Sequence, residues 1–400
     1  MKNKVRLKLD EIAICIINGI KNNSIKHSAN GLYDGKFGIL LFLYYYSKYS
    51  KNNDIKSFTD KYAEVLLDRL WGQTQIPTFC SGLSGILYLF VFLKEQNFID
   101  IDIDDAEIEF NNYLTKGMDL FITGHNYDFM HGALGIGLYF NKLKKNNQSI
   151  SKFINFLYDI AEKNMANKIF KWKSVLNENG DIGYNIALSH GISSIVIFLS
   201  QAIENNIKHI KLPILLEGAV NYLLSQEIDY QQHGSYFPSQ ALENKNANIT
   251  KSRLAWCYGD LGIAYSIWYA GIVVNKKEWI DKGTNILLDS TKRKSLKDNY
   301  IVDAGLCHGS AGIAMIYNRM YTETKKPLFL EASNFWINQT LLFSNHIDGL
   351  SGYKTMRGIG NDIKYECDYS LLTGISGIGL MFVSYLMNDT QAWDEIFLLS

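Results

Sequence analysis

Proline and cysteine are both scarce in this chain of 400 residues, and neither sign of charge is in excess. The four prolines leave long segments free to form helix, because proline lacks the amide hydrogen that a helix interior needs. The five cysteines are sparse and odd in number, which argues against a disulfide framework. They suit a reducing cytoplasm and roles in a core or a metal site. These scarcities predict a mostly helical, cytoplasmic protein.

Charge and hydropathy exclude several kinds of partner. Forty basic and forty acidic residues cancel, so no net field attracts nucleic acid or an anionic membrane. No apolar run approaches the ~18 residues that a transmembrane helix needs. The N-terminal segment carries charges and only a short apolar stretch at 12–17, which predicts a helix and not a secretory signal. The hydrophobic fraction of 47% is sufficient for a large core.

A glycine motif occurs seven times along the chain. In each copy a polar residue precedes a glycine, a second glycine (Ser194 in copy four) follows three residues later, and an apolar run comes next. The first glycines of copies one to seven are Gly35, Gly82, Gly132, Gly191, Gly259, Gly309 and Gly374. Their spacings of 47 to 68 residues fit two helices and two loops per copy. No linker-like or highly charged segment interrupts the copies, so we predict one domain over residues 1–400.

Two kinds of helical segment alternate in the sequence. After each glycine, apolar residues lie on nearly every helical face, which is typical of a buried helix. Between them are segments with one apolar stripe, typical of helices with one face in water. These segments are 61–70, 108–121, 153–167, 214–226, 279–291 and 329–342. The alternation predicts an all-α array with an inner and an outer ring, whose inner helices all begin at the same end. Three stretches break the pattern and are predicted as long loops or small strands over one mouth: 172–184, 227–251 and 346–369.

Three side chains in copies five and six have the chemistry of zinc ligands. Cys257 and Cys307 each lie two residues before the glycine of neighbouring copies, and His308 follows Cys307. Zinc binds such groups in tetrahedral geometry, and a catalytic site leaves the fourth position to water or substrate. The alternative is that both cysteines are small core residues. Cys80 occupies the equivalent position in copy two, without a histidine beside it.

Other residues near the glycines offer acid–base and anion-stabilising groups. His190 directly precedes the glycine of copy four, and Asp128 is a carboxylate that could orient this imidazole and shift its pKa. Arg253, four residues before Cys257, could stabilise a developing oxyanion. The alternatives are a hydrogen-bonded core histidine and a solvated or salt-bridged arginine. His131 is a weaker rival for the acid–base role.

The segments SRLAWCYGDLG and LCHG, with the upstream LSHG, resemble the lanthionine synthetase C-like cyclases of class I lanthipeptide biosynthesis. The resemblance covers essentially the whole chain, because all seven glycine motifs belong to it. It implies an α/α toroid (barrel) of about seven inner and seven outer helices, with one zinc ion at one end of the central cavity. It assigns that zinc to Cys257, Cys307 and His308. It also marks four active-site positions: Asp128, His190, Arg253 and Tyr258.

The same resemblance implies a reaction and its partners. A precursor-peptide cysteine, held by zinc as thiolate, adds to a dehydroalanine or dehydrobutyrine and forms a lanthionine or methyllanthionine ring. His190 is expected to protonate the resulting enolate with support from Asp128, and Arg253 or Tyr258 is expected near the enolate oxygen. The implied partners are the dehydrated precursor peptide, a dehydratase and a transporter. Peripheral membrane association through such a complex accompanies the cytoplasmic location.

Several other functions stay open at the level of sequence. A glycosidase on an α/α toroid needs two carboxylates facing one cavity, and the repeated positions supply only Asp34 and Asp128. A terpenoid-cyclase-like or prenyltransferase-like enzyme needs Asp-rich diphosphate-binding segments, and none lies at a helix start. The remaining alternatives are a non-catalytic zinc-containing scaffold that binds a peptide or partner enzyme, and a related protein that adds glutathione to dehydrated residues.

Overall fold

A computed structural model describes residues 1–25, 29–71, 75–100, 104–177, 179–244, 250–358, 363–387 and 392–399. Within those residues the α-helices are α1 (Lys2–Lys21), α2 (Lys36–Ser50), α3 (Asn53–Trp71), α4 (Leu83–Glu95), α5 (Asp104–Thr123), α6 (Ala133–Leu143), α7 (Asn147–Ile160), α8 (Ile192–Glu204), α9 (Leu212–Ser225), α10 (Tyr230–His233), α11 (Asp260–Val273), α12 (Lys277–Ser290), α13 (Ser310–Thr324), α14 (Pro327–Leu342) and α15 (Ile375–Met387). The short 3-10 helices are Lys297–Asn299 and Ala392–Phe397.

Three two-stranded antiparallel sheets interrupt the helices in the described part of the chain. The strands are β1 (Glu162–Asn164), β2 (Ile169–Lys171), β3 (Lys173–Val175), β4 (Ile182–Tyr184), β5 (Thr355–Arg357) and β6 (Lys364–Glu366), paired in that order. The pairs β3–β4 and β5–β6 lie in stretches predicted as loops or small strands. Parts of those predicted stretches, namely 178, 245–249 and 359–362, lie outside the described residues.

The chain forms two compact units. Unit one comprises Met1–Ile76, Cys80–Ile101 and Ile301–Ser400, and so holds copies six, seven, one and two of the glycine motif. Unit two comprises Pro77–Phe79 and Asp102–Tyr300, and holds copies three, four and five. One domain over residues 1–400 stays a prediction.

An inner helix begins directly after the first glycine of every copy. These helices are α2, α4, α6, α8, α11, α13 and α15, and their residues are buried on nearly every side. In α11, for example, each residue from 260 to 271 is buried. The six one-sided segments overlap α3, α5, α7, α9, α12 and α14, while α1 packs against α15, α2 and α14. None of the described helices is both long enough and apolar enough to cross a membrane.

One predicted outer helix is too long. The segment 153–167 is helical only as far as Ile160, where α7 ends. Ala161 adopts an extended conformation (φ −63°, ψ 133°), and Glu162–Asn164 then pairs with β2. The exposed residues of this short strand pair with β2, which begins five residues after β1 ends, and helical periodicity does not reveal such a hairpin.

A small loop precedes each inner helix, and its closure explains the glycine. In copy four the Ile192 N–H donates to the Asn185 carbonyl (2.8 Å), and copies two and six make the equivalent bond. A Cβ atom on Gly191 would lie 2.2 Å from the Asn185 oxygen, so only glycine fits. Its φ of −129° is ordinary extended backbone. Gly259, with φ 95°, is the exception, because that conformation is one which L side chains rarely adopt.

Residues two positions before the glycines are joined directly to one another. In unit one, backbone N–H groups donate from Cys307 to Leu372, from Leu372 to Tyr33 and from Tyr33 to Cys80, each at 2.9 Å. Copies six, seven, one and two are therefore neighbours in that order, so the last copy lies beside the first. In unit two, Ser189 of copy four donates in the same way to the Cys257 carbonyl of copy five (3.3 Å). Equivalent positions of successive copies thus lie side by side.

Candidate metal centre and active site

Cys257, Cys307 and His308 lie together at the starts of α11 and α13. One ligand atom of each lies within 4.8 Å of the others, which makes them a group able to hold a metal ion. Cys257 is buried, whereas Cys307 and His308 are partly exposed. Two thiols and one imidazole suit zinc, and three protein ligands leave a fourth position for a substrate atom.

A buried carboxylate lies behind His308. Asp303 Oδ2 is 3.2 Å from His308 Nε2, and backbone N–H groups of Gly305 and Met356 donate to Asp303 at 3.1 Å. Burial disfavours the charge of Asp303, but His308 and these donors outweigh it, so the pKa of Asp303 is lowered. Because Nε2 faces the carboxylate, His308 would bind a metal through Nδ1. A carboxylate in this position fixes the tautomer of a metal-binding histidine.

A second carboxylate holds His190 in unit two. His190 Nδ1 lies 2.8 Å from Asp128 Oδ2, and the other oxygen, Oδ1, accepts the backbone N–H of His131 (2.7 Å). Burial of the imidazole works against its protonated form. The hydrogen bond and charge of Asp128, with a smaller contribution from Cys257, outweigh that cost and raise the pKa of His190. With Nδ1 committed to Asp128, Nε2 is the nitrogen free to exchange a proton with a substrate.

Arg253 and Tyr258 flank Cys257 in the loop before α11. Arg253 Nη2 donates to the backbone carbonyl of Tyr300 (3.0 Å), and the Tyr258 hydroxyl accepts from Asn185 Nδ2 (3.3 Å). Both side chains are half-buried. The backbone N–H of Leu188 also donates to the Cys257 carbonyl (3.1 Å), so the loop that carries His190 contacts the loop that carries Cys257.

His131 and Cys80 occupy different surroundings. The His131 ring stacks on the His190 ring with centroids 5.9 Å apart, and its side chain is exposed. Asp128 therefore contacts His131 through the backbone and His190 through the imidazole. Cys80 is buried in unit one, where its carbonyl accepts from Tyr33, and it stands outside the metal-capable group found among the described residues.

A family profile described as lanthionine synthetase C-like protein matches residues 28–398. The chain belongs to that family. It is 23% identical to "Nisin biosynthesis protein NisC" of Lactococcus lactis subsp. lactis over 352 residues. This alignment covers 82% of this chain and 82% of that protein. A solved structure titled "Nisin cyclase" matches with a TM-score of 0.76 and 19% identity, covering 100% of this chain and 98% of that chain. The predicted family and the all-α, α/α toroid fold are confirmed.

Sequence reasoning about this cyclase-like chain missed two positioning residues, Asp303 and Asn185. Both lie six residues before the glycine of their copy. At that position the side-chain oxygen accepts a backbone N–H two residues further on, and so shapes the loop. The residues that do this are Asn126, Asn185, Asp303 and Asp368. Repeated Asn or Asp at one motif position was the signal available in the sequence.

Proposed function

We propose that this member of the lanthionine synthetase C-like family is a zinc-dependent peptide cyclase. It joins cysteine side chains of a precursor peptide to dehydroalanine or dehydrobutyrine in the same peptide, forming lanthionine and methyllanthionine thioethers. Family membership and the similarity to a nisin biosynthesis protein support the reaction class. The observation that carries the proposal is the contact between the loops of His190 and Cys257, because it sets an acid–base pair beside a candidate zinc ligand.

Zinc would be held by Cys257, Cys307 and His308, with Asp303 fixing the orientation of His308. When bound, zinc supplies the positive charge that favours the thiolate form of a substrate cysteine at neutral pH. The negative charges of two cysteine thiolate ligands would partly neutralise the charge of the zinc ion. The substrate sulfur would therefore stay nucleophilic. The partial exposure of Cys307 and His308 is consistent with access for a peptide side chain.

His190, supported by Asp128, is the proposed acid that protonates the reaction intermediate. Attack of the sulfur on the β-carbon forms the C–S bond and moves the π electrons into an enolate, which must gain a proton at the α-carbon. The raised pKa of His190 keeps more of the imidazolium at neutral pH, so Nε2 can donate that proton. The next substrate thiol returns a proton to His190, and the net change is addition of S–H across the double bond.

Arg253 and Tyr258 complete the proposed site. The Arg253 guanidinium is anchored on the Tyr300 carbonyl and offers a fixed positive charge for the developing enolate. The Tyr258 hydroxyl accepts from Asn185 Nδ2, and a phenol hydroxyl is also able to donate to an anion.

The reaction also defines the cellular setting that we propose. The dehydrated residues must be made by another enzyme, so a dehydratase acts first. A transporter partner, a cytoplasmic location and peripheral membrane association through such a complex rest on the family resemblance.

A dehydrated peptide with one cysteine tests the proposal, with ring closure measured as loss of thiol alkylation in mass spectrometry. We expect wild-type protein to carry one zinc and to close the ring. Cys307→Ala should lose both zinc and ring closure, whereas His190→Ala should keep zinc and lose ring closure. Wild-type protein without zinc, or His190→Ala closing rings at the wild-type rate, would contradict the proposal. Peptide binding without turnover would indicate a scaffold, and a mass increase with glutathione would indicate the glutathione-adding alternative.

A further inference from the structure

A cavity of about 310 Å³ in unit one shares no lining residue with the candidate active site. Its walls are the end of α1, residues 23 and 25, the start of α2 and one face of α3. Ile25, Phe58 and Tyr62 are among its apolar lining residues. The volume is at the small end of ligand pockets, which suits a few side chains and not a large cofactor.

Among the described residues that line this cavity, the charged side chains are all cationic: Lys36, Lys61 and Arg69. The Lys21 ammonium adds a further positive charge 5.5 Å from the centroid of the Phe58 ring, which lines the cavity. No carboxylate belongs to the described lining. Two acids on the neighbouring elements are engaged elsewhere, since Asp34 accepts from Ser81 (2.6 Å) and Asp60 pairs with Lys56 (2.6 Å).

Lys36 is the most unusual of these cations, because it is only 7% exposed. It is also the first residue of α2, where the helix dipole already places positive charge. Burial, and then the charge of Arg69, lower the pKa of Lys36. Positive charge that is partly desolvated in an apolar cavity interacts strongly with an incoming anion. The site therefore favours a ligand that combines a carboxylate with an apolar group.

We propose that this cavity binds an acidic–apolar segment of a peptide partner. A carboxylate of that segment lies against Lys36 and Arg69, and a neighbouring apolar side chain lies against Phe58 and Tyr62. The identification of the partner as the precursor peptide rests on the proposed function. The cavity holds a part of the peptide that does not react, and so it contributes affinity and not chemistry.

Fluorescence anisotropy with a labelled synthetic peptide tests this assignment. The probe has eight residues in which Leu and Glu alternate, and the matched control has Gln in place of every Glu. We expect saturable binding of the Glu peptide, with affinity at least about tenfold above that of the Gln peptide. Binding should weaken as salt is added, because the cations that line the rim are exposed.

Three variants locate the binding. Arg69→Gln changes an exposed side chain and should fold normally while weakening the Glu peptide about tenfold. Lys36→Met removes the buried cation at the start of α2 and should weaken binding at least as much. Lys4→Met, an exposed lysine on α1 outside the cavity, is the control and should bind as the wild type does. If Lys36→Met does not fold stably, the affinity of Arg69→Gln for the Glu peptide alone tests whether the peptide binds in this cavity.

The assignment would be overturned if the Glu and Gln peptides bound with equal affinity, or if Arg69→Gln bound the Glu peptide as tightly as the wild type does. It would also be overturned if the cavity bound octanoate but not the Glu peptide. The Cys307→Ala variant separates the two proposals, since it should bind the probe normally although it closes no ring. Ring closure by wild-type protein that does not bind the probe would overturn the cavity assignment alone. Probe binding by wild-type protein that closes no ring would overturn the cyclase proposal alone.

Discussion

At the residue scale, two carboxylates each hold one histidine of the site. Asp128 binds Nδ1 of His190, and Asp303 faces Nε2 of His308. Both carboxylates accept backbone N–H groups, so the loops fix their positions before any ligand arrives. The carboxylates face opposite imidazole nitrogens, which is consistent with the proposed roles of Nε2 of His190 as the proton donor and of Nδ1 of His308 as the zinc ligand.

Asp128→Asn should change the proton chemistry and leave the metal in place. The substitution removes the charge that raises the pKa of His190, whereas burial, which lowers it, remains. The pKa should therefore fall, and ring closure at neutral pH should slow by roughly 10²-fold or more. Histidine NMR titration and the pH–rate profile measure both effects. An unchanged profile with normal zinc content would contradict the pairing.

The pair of His190 and Asp128 also predicts how the stability of the fold changes with pH. The folded pKa of His190 is raised, so the pair stabilises the fold below the unfolded pKa of about 6.5 and loses this contribution as pH rises through the folded value. Asp128→Asn should reduce that dependence in thermal unfolding.

Asp303→Asn should weaken zinc binding by roughly 10- to 100-fold, because an outer carboxylate orients the ligating imidazole. Competition with a chromophoric chelator measures the affinity directly. Asp368→Asn is the matched control: Asp368 has the same position in copy seven, where its side chain contacts Arg357 and Thr373. Equal zinc affinity in Asp303→Asn and wild type would exclude the positioning role.

At the element scale, one buried ion pair secures the start of α11. Asp260 is fully buried and accepts the backbone N–H groups of Tyr236 and Phe237, while Arg293 donates to it at 2.9 Å. Burial raises the pKa of Asp260, although Arg293 and the backbone donors act in the opposite direction. This pair ties α11, and hence the loop of Cys257, to the segments before and after it.

Arg293→Met should lower the free energy of unfolding by about 3–5 kcal/mol, because it leaves a buried carboxylate without its cation. Removal of the cation raises the Asp260 pKa further, so the loss should be smaller at pH 5 than at pH 8. Urea unfolding at the two pH values measures this. Lys292→Met, next in the chain and on an exposed ion pair, should lower the free energy of unfolding far less, because solvent screens an exposed pair. Similar losses in the two variants would contradict the assignment.

At the scale of the whole molecule, zinc should act as a folding ligand. Its proposed ligands come from copies five and six, and they are brought together only in the folded chain. A ligand that binds only the folded state stabilises it by about 4 kcal/mol at a thousand times its dissociation constant. Chelation should therefore lower the thermal midpoint of wild-type protein and of Cys80→Ala, but not that of Cys307→Ala. A midpoint that does not respond to chelation would count against the metal centre.

The repetition in the sequence determined the helix order, the alternation of buried and half-exposed helices, and the candidate ligand positions. The physical reason is that equivalent positions in a regular array become spatial neighbours, as the backbone bond from Ser189 to Cys257 demonstrates. Helical periodicity was less informative at 153–167, because beyond Ile160 the chain forms a hairpin whose second strand, Ile169–Lys171, lies just outside that segment.

Only the tertiary structure decided which groups face one another within that array. The pairing of Asp303 with His308, the contact of Asn185 with Tyr258 and the side-chain partner of Asp128 depend on loop paths and rotamers. The convergence of cations from α2 and α3 on one cavity likewise joins residues that no motif connects. A sequence pattern specifies which face of a helix is apolar and which positions repeat. It does not specify side-chain direction, and direction determines which nitrogen meets a carboxylate and which charge enters a cavity.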